Sequence, residues 1–323
     1  MIKKLLILII GMVAFGLYSC KNHSSSGGGV VEIITDTNYE NGIGLQGSHS
    51  NNIEITRVLY PFGEREEKHK YVWKLAQWGS RFDLKEAKRG KGNDGITYSN
   101  PGKSIAFKAV EGSTQVTMKM FGSKEYSAPR KFGEDWPHIL LEQEFSNPQS
   151  VSDIQNLIFN LDFRLLFSEN MMTPESYNPE IHTTQFTIYL TIQNKNKDSK
   201  GYGDFIWFGL PLYDYRYDTI DEYSAADIGK EDASNKFIFS TSSKNLFVDI
   251  PKDGNWIKIS KDIIGIIHNA FITAKQRGFL KESDYKDMYI TTTNMGWETP
   301  GTFDCAIQYK NLKLTATKIK HHE

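Results

Sequence analysis

The stretch RKFGEDWPHILLEQEF, residues 130–145, predicts the fold of this chain. It opens with charged and turn-forming residues and continues into a segment whose side chains alternate with the two-residue period of a β-strand. One face carries His138, Leu140, Glu142 and Glu144, and the other carries Ile139, Leu141, Gln143 and Phe145. A face that combines an imidazole with carboxylates suits a ligand-binding surface better than a core. We therefore expect a half-buried strand whose polar face belongs to a site.

Three further segments are read as strands of the same sheet system. Residues 156–167 and 184–193 alternate between polar and apolar side chains, and residues 204–212 are apolar throughout, as in a strand buried on both faces. If these strands are neighbours, their polar faces form one charged surface. The alternative is that each polar face simply meets water. The polar residues of the two alternating segments include Asn160, Asp162, Arg164, Gln185, Thr187 and Tyr189.

The whole chain is rich in strand-like runs separated by Gly, Pro, Asn and Asp clusters, and it shows no internal repeat. One helix stands out, with Ser260 as its N-cap, Gly278 after its last turn and an apolar stripe between them. This order predicts an all-β, antiparallel β-sandwich with one late α-helix. A single domain over residues 30–323 fits the length.

The glycine pattern of residues 42–47, GIGLQG, matches the spacing of dinucleotide-binding loops. That mechanism needs a buried strand before the glycines and a helix after them. Polar residues stand on both sides here, so we interpret the segment as a loop and predict no cofactor. Residues 92–95 and 252–255 carry oxygen donors that could hold a structural Ca²⁺, but their composition is that of ordinary turns, and no metal-ligand motif is present.

The first residues indicate an export signal. Lys3 and Lys4 precede a short apolar run, and residues 17–20, LYSC, resemble the lipobox of bacterial lipoproteins, in which the cysteine is lipidated. The resemblance implies a signal peptide over residues 1–19 and a palmitoylated Cys20 at the head of a flexible tether, residues 20–29. The protein would then be a membrane-anchored lipoprotein of a Gram-negative envelope, on its periplasmic or cell-surface face. An ordinary cleaved signal with an incidental cysteine is the alternative.

Composition restricts the partners. The chain has 38 basic and 39 acidic side chains, so no nucleic-acid footprint is present. Aromatic residues make up 13% of the chain, enough for both a core and stacking platforms. If Cys20 is lipidated, Cys305 is the only thiol left, and its apolar surroundings predict a core residue.

The end of the chain adds a resemblance of architecture. Trp297-Glu298, the Pro300-Gly301 turn and the alternating run through KNLKL resemble the last strands of jelly-roll, concanavalin A-like domains. With the lipobox and the tether, the chain resembles lipoproteins of Gram-negative polysaccharide-utilisation systems. The resemblance implies a concave sheet that presents polar side chains to a poly- or oligosaccharide.

The leading hypothesis is therefore carbohydrate binding, with an acidic or polyhydroxylated polysaccharide as ligand and Trp136 or Trp297 as stacking platform. The proposed ligand-binding set is Arg130, Glu134, Trp136, His138, Glu142, Asp162, Arg164, Gln185, Tyr189 and Trp297.

Two alternatives stay open. A polysaccharide-degrading enzyme could use the same groove. A glycoside hydrolase would draw its two carboxyl groups from Glu142, Glu144 and Asp162. A lyase would use a Tyr or His base, with Arg, Gln or His neutralising a uronate. The candidates for that set are Arg130, Arg164, His138, His182, Gln185 and Tyr189. A protein-interaction module of the envelope would instead expose an apolar patch. The sequence does not predict the oligomeric state.

Overall fold

Two β-sheets packed face to face make up most of the structure, a computed structural model that describes residues 29–48, 53–64, 70–228 and 234–320. The predicted signal peptide, Cys20 and most of the tether lie outside the described residues. The prediction of an all-β sandwich of the jelly-roll type is confirmed.

The strands of the described residues are β1 (Val30–Glu32), β2 (Ile43–Gln46), β3 (Ile55–Leu59), β4 (Trp73–Ala76), β5 (Arg89–Gly92), β6 (Gly95–Ser99), β7 (Lys103–Val110), β8 (Ser113–Phe121), β9 (His138–Ser150), β10 (Ile154–Asn170), β11 (Gln185–Asn194), β12 (Phe205–Asp214), β13 (Tyr223–Ala226), β14 (Phe237–Ser240), β15 (Ile257–Asp262), β16 (Met288–Glu298) and β17 (Phe303–Lys318). The α-helices are the short α1 (Gly122–Glu125) and the late α2 (Ile264–Gln276).

Across the described residues, the nine-stranded sheet runs in the order β13-β14-β12-β11-β16-β9-β4-β2-β3. The eight-stranded sheet runs β15-β10-β17-β8-β7-β6-β5, with β1 added to β17. Neighbouring strands are antiparallel except for the β12/β14 and β2/β4 pairs, which are parallel.

The core lies between the sheets and follows the predicted alternation. Ile139 and Leu141 of β9 are fully buried, as are Phe186 of β11 and Trp297 of β16. Each such side chain contributes about 1.5–3 kcal/mol of transfer free energy when it leaves water. Because successive side chains of a strand alternate between its two faces, the intervening residues of these strands point away from the core. We call that outward side of the nine-stranded sheet the open face.

The late helix is present, but it starts later than predicted. Ser260 lies inside β15, paired with Asn160 of β10, so the prediction that it caps the helix is wrong. Asp262 ends the strand, and its Oδ1 accepts hydrogen bonds from the backbone N–H groups of Leu157 (2.9 Å) and Ile264 (3.2 Å). Strand pairing therefore overrides the local capping signal. No helix among the described residues is long and apolar enough to cross a membrane.

The interpretation of residues 42–47 as a loop is wrong in its centre. Residues 43–46 form β2, which pairs with β3 on one side and β4 on the other. Gly44 is required there because the ring of Tyr71 occupies the place that a Cβ would take, 2.6 Å from it. The glycines therefore serve side-chain packing rather than a phosphate.

Candidate functional site

Strand register brings four polar side chains into one row across the open face. Lys74 of β4 pairs with Glu142 of β9, Glu142 pairs with Asn294 of β16, and Asn294 pairs with Tyr189 of β11. All four are half-buried. We call this set the Glu142 row. It spans four neighbouring strands, about 14 Å at roughly 4.8 Å per strand.

A second polar row runs parallel to the first, four residues further along the strands. His138 pairs with Glu298, and Glu298 pairs with Gln185. Trp78 joins them because its backbone carbonyl accepts the N–H of His138 at 2.9 Å. We call Trp78, His138, Glu298 and Gln185 the Glu298 row. About 13 Å of strand separates the two rows.

Smaller or lower side chains lie between the rows. Ala76, Leu140, Gly296 and Thr187 occupy consecutive strands, and each is buried below its taller neighbours. The two polar rows therefore form the walls of a trough, and this third row forms its floor. The trough runs across the strands.

Glu142 is the most perturbed acid of this surface. Burial raises the pKa of its carboxyl to about 7, and the opposing influences of Lys74, a hydrogen bond from Gln46 and the nearby His138 offset only part of that shift. At neutral pH the group therefore exists in both protonation states. It can donate or accept a hydrogen bond, and its pKa suits a general acid.

The Glu142 row has polar groups that no protein group satisfies. Within the described part of the chain, the side chains of Lys74, Asn294 and Tyr189 form no hydrogen bond or ion pair, and Gln185 of the other row is equally unpaired. Burial raises the pKa of the Tyr189 phenol well above its ordinary value. The hydroxyl therefore keeps its proton and is available as a donor.

The Glu298 row is held more firmly. Oε2 of Glu298 accepts a hydrogen bond from Nε1 of Trp136 at 3.2 Å and lies 3.4 Å from Nε2 of His138. The ring of His138 stacks on that of Trp136, with centroids 5.8 Å apart, and meets the ring of Trp78 edge to face. Arg130 lies 4.8 Å from the ring centroid of Trp136. The structure thus brings Trp136 and His138 into contact.

Arg130 and Glu134 lie at the same end, but they hold the loop rather than face the trough. The buried Arg130 guanidinium donates to the carbonyls of Glu134 (2.7 Å) and Ile181 (3.2 Å). The carboxylate of Glu134 accepts the N–H of Lys131 at 2.8 Å. His182 completes the arrangement with a ring nitrogen 2.7 Å from the carbonyl of Arg130. Ligand contacts by Arg130 or Glu134 stay a prediction that this geometry does not favour.

Asp162 and Arg164 do not join this surface. They belong to β10 of the eight-stranded sheet, so the expectation that they share a face with His138 and Glu142 is wrong. Nε and Nη2 of Arg164 donate to Oε1 of Gln308 at 2.9 and 2.7 Å, and Asp162 accepts from Asn311 at 2.8 Å. The alternation predicted for β10 is present in the structure. The sheet to which β10 belongs was not predicted, because a two-residue period does not determine which strands pair.

Trp297 cannot serve as the stacking platform. Its side chain is fully buried and its Nε1 donates to the carbonyl of Met118 at 3.0 Å, which ties the two sheets together. Cys305 is a core residue as predicted, and burial raises the pKa of its thiol to about 12.

Four residues of the trough walls were missed from the sequence, namely Lys74, Trp78, Asn294 and Glu298. Glu298, Asn294 and Lys74 enter the site only through the pairing of β16 and β4 with β9. Glu298 carried a local signal, since it stands before the Pro300-Gly301 turn and two residues after Gly296. Lys74 and Asn294 carried none.

No three His, Cys, Asp or Glu side chains converge as a metal site in residues 29–48, 53–64, 70–228 and 234–320.

Comparison with known proteins gives structural likenesses of low similarity. No family model and no curated protein matches the sequence. Endoglucanase Cel12A from Rhodothermus marinus is 12% identical, covers 72% of this chain and 96% of its own, and has a TM-score of 0.35. Endoglucanase 3 from Trichoderma harzianum is 10% identical with coverages of 78% and 100% and a TM-score of 0.34. The xyloglucanase domain of NopAA from Sinorhizobium fredii, solved with cellobiose, is 11% identical with coverages of 71% and 99% and a TM-score of 0.34. Likenesses of this size do not indicate what this chain binds.

Proposed function

We propose that the protein binds a polysaccharide along the trough of the open face. The observation that supports this most is the set of half-buried polar side chains in the trough that lack protein partners. The polar atoms of these side chains are not buried away from solvent, so water can satisfy them in the free protein and a ligand can replace that water with direct hydrogen bonds. A ligand with many hydroxyl groups supplies both the donors and the acceptors that Asn294, Gln185 and Tyr189 require.

The charges of the trough favour a neutral polysaccharide. Glu142, Glu144 and Glu298 supply three carboxyl groups on the open face, against the cation of Lys74 and the imidazole of His138. A polyuronate would bring further carboxylates against these acids, and like charges repel. The geometry therefore favours the polyhydroxylated form of the sequence-based hypothesis over the acidic form.

The test uses the soluble chain that begins after Gly29 and a panel of neutral and uronate-containing polysaccharides cast into native affinity gels. Retardation by a neutral polysaccharide is expected. Lys74→Gln and Tyr189→Phe should weaken it by about fivefold each, since a hydrogen bond contributes about 1 kcal/mol.

Lys258→Gln is the matched control, because Lys258 is an exposed strand lysine on the outer side of the other sheet. If Lys258→Gln abolishes retardation and Lys74→Gln does not, the polysaccharide binds to the eight-stranded sheet, and the proposed location of the site is wrong. Absence of retardation across the panel would contradict polysaccharide binding itself.

Hydrolysis of the bound glycan is the second candidate, favoured by the raised pKa of Glu142. In this proposal Glu142 gives its proton to the glycosidic oxygen as the C–O bond breaks. Glu298, on the opposite wall, takes a proton from the water that attacks the anomeric carbon. The rows lie about 13 Å apart along the strands, which is too wide for the covalent route with its carboxyl groups about 5 Å apart. The inverting route, with carboxyl groups about 6.5–9.5 Å apart, requires the side chains of Glu142 and Glu298 to lean toward each other across the floor.

The same gels, followed by assay of reducing ends, separate the two candidates. Glu142→Gln should remove hydrolysis by a factor of about 10²–10⁴ and leave retardation in place. New ultraviolet absorbance from unsaturated products would instead indicate a lyase. Of the neutralising residues expected for that alternative, Arg164 lies on the other sheet, whereas Gln185 lies in the Glu298 row.

Anchoring of the protein through a lipidated Cys20 remains part of the proposal. Its support is the lipobox-like LYSC sequence followed by the flexible tether. Metabolic labelling with a palmitate analogue should mark the wild-type protein and leave Cys20→Ser unlabelled. Equal labelling of both would contradict it.

A further inference from the structure

Two exposed aromatic side chains lie in loops that adjoin the strands of the Glu298 row. Phe132 is 89% exposed and Tyr217 is 49% exposed. Phe132 lies in the loop 126–137, which leads directly into His138. Tyr217 lies in the loop 215–222, which begins directly after Asp214, the cross-strand partner of Gln185. The loop 171–184 lies between them in contact with both.

We propose that these three loops form an aromatic rim that extends the polysaccharide site, with Phe132 and Tyr217 stacking on sugar units beyond the trough. This inference rests on the proposed function. It adds that the ligand is a long chain, which the trough alone does not require.

Hydrogen bonds join the three loops into one unit. Nη1 of Arg130 donates to the carbonyl of Ile181 at 3.2 Å, and a ring nitrogen of His182 lies 2.7 Å from the carbonyl of Arg130. On the other side, Nη1 of Arg216 donates to the carbonyl of Pro179 at 3.4 Å. The rim therefore has a fixed shape rather than three independent loops.

The turn that carries Phe132 is itself tightly held. Glu134 accepts the N–H of Lys131 through its carboxylate and the Nε–H of Arg130 through its carbonyl, at 2.8 and 2.7 Å. Gly133 adopts a φ of +83°, a conformation that glycine takes without strain. A rigid turn that holds an exposed phenylalanine loses little conformational entropy when a ligand stacks on the ring.

Tyr217 is fixed from one side. Its N–H donates to the carbonyl of Asp214 at 3.1 Å, and the guanidinium of Arg216 lies 5.1 Å from its ring centroid. Asp214 in turn holds Arg216 with two hydrogen bonds of 2.9 and 2.6 Å. The ring is thus oriented by protein contacts while about half of the residue stays exposed.

Single apolar side chains at a surface are ordinary. Phe132 and Tyr217 differ because each lies in a hydrogen-bonded loop that adjoins a strand of the open face, Phe132 before His138 and Tyr217 after Asp214. Aromatic faces offer the flat apolar area on which the C–H faces of sugar rings stack. Two such contacts correspond to an affinity gain of roughly tenfold for a ligand long enough to reach both.

The experiment measures affinity against chain length. The probe is a size ladder of oligosaccharides, made by partial acid hydrolysis of the polysaccharide that most retards the wild-type protein. Binding is measured by calorimetry. The wild-type protein should bind the longest fractions about tenfold more tightly than the shortest fractions that still bind.

Phe132→Ala with Tyr217→Ala should remove that gain and leave the affinity for the short fractions unchanged. Phe132→Trp should keep it. Tyr202→Ala is the matched control: Tyr202 is 50% exposed and lies in the loop between β11 and β12, at the opposite end of these strands.

A wild-type affinity independent of length, or a gain that survives in the double variant, would overturn the rim while leaving the trough intact. Weakened binding of the short fractions in the double variant would overturn it too, because it would place the two rings inside the trough site. If no polysaccharide retards the wild-type protein, the trough and the rim fall together.

Discussion

One carboxylate oxygen of Glu298 contacts both Trp136 and His138. Nε1 of Trp136 donates a hydrogen bond to Oε2 at 3.2 Å, and Nε2 of His138 lies 3.4 Å from the same atom. The indole and the imidazole are also stacked on each other. The stacked rings of Trp136 and His138 thus position the carboxylate of Glu298 in this wall of the trough. Orientation of Glu298 should therefore depend on Trp136.

Replacing Trp136 with phenylalanine tests this dependence. The variant keeps an aromatic ring beside His138 but loses the indole N–H together with part of the ring area that stacks on His138. A hydrogen bond to a charged group contributes about 1.5–3 kcal/mol, so we expect polysaccharide affinity to fall by tenfold or more. Affinity gels give the measurement. An unchanged affinity would show that Glu298 does not contact the ligand through this arrangement.

The raised pKa of Glu142 predicts a pH-dependent stability. Its folded pKa of about 7 lies above the ordinary value of 4.5, so the folded state is favoured by protonation. The native state is therefore stabilised most below about pH 4.5, and this contribution is lost as pH rises to about 7. The difference of 7 − 4.5, about 2.5 pKa units, corresponds to about 3 kcal/mol.

Glu142→Gln should remove this loss. Its free energy of unfolding, measured in urea, should exceed that of the wild type by up to about 3 kcal/mol at pH 8, and the two should converge near pH 4. Glu144→Gln, an exposed neighbour on the same strand face, controls for the loss of a surface carboxylate. A Glu142→Gln variant that is less stable than the wild type at pH 8 would contradict the buried-acid interpretation.

A buried ion pair holds the segment that follows Trp78, a residue of the trough wall. Nζ of Lys103 lies 2.6 Å from Oε1 of Glu125, and both side chains are almost completely buried. The other oxygen of Glu125 accepts the backbone N–H groups of Arg81 and Phe82, in the segment that follows Trp78. Burial lowers the pKa of Lys103, and the attraction of Glu125 opposes that effect.

Loss of one partner should therefore be costly. Lys103→Met leaves a buried carboxylate without its cation and should lower the free energy of unfolding by about 3–5 kcal/mol. The double variant Lys103→Met, Glu125→Gln should recover part of this loss. Urea unfolding of both proteins provides the measurement, and a single variant as stable as the wild type would refute the role of the pair.

Trp297 should matter for stability and not for binding. Trp297→Phe removes the hydrogen bond to the carbonyl of Met118 and leaves a cavity, so we expect a loss of about 1–3 kcal/mol. Affinity for the polysaccharide should stay within twofold of the wild type, about 0.4 kcal/mol. A large loss of affinity in a stable Trp297→Phe protein would return this residue to the site.

The periodicity of the sequence predicted which face of a strand each residue occupies. It did not predict which strands pair with one another. The alternation in β9 and β11 placed Glu142, Gln185 and Tyr189 on outward faces, and the structure puts them on one surface. The same alternation in β10 placed Arg164 outward as well, but β10 pairs with β15 and β17 in the other sheet. Pairing is a long-range property, and no periodicity within a strand encodes it.

The helix boundary failed for a related reason. Ser260 and Asp262 have the composition of a helix start, yet β15 pairs with β10 as far as Asp262. Trp297 was a candidate platform because it stands near a turn, whereas its position on the core face follows from the register of β16. In each case a tertiary contact outweighed the local preference.

The unsatisfied polar groups of the trough have a consequence for the evolution of this chain. The outer side of the eight-stranded sheet joins Arg164 to Gln308 and Asp162 to Asn311, so random substitutions there should mostly damage folding. Along the trough, the side chains of Asn294 and Tyr189 form no hydrogen bond to the described protein, so replacing either with an apolar side chain of similar size should cost little stability while the ligand is lost. Selection for stability alone would therefore not preserve the site, and its retention would be evidence that the protein is selected for binding its ligand.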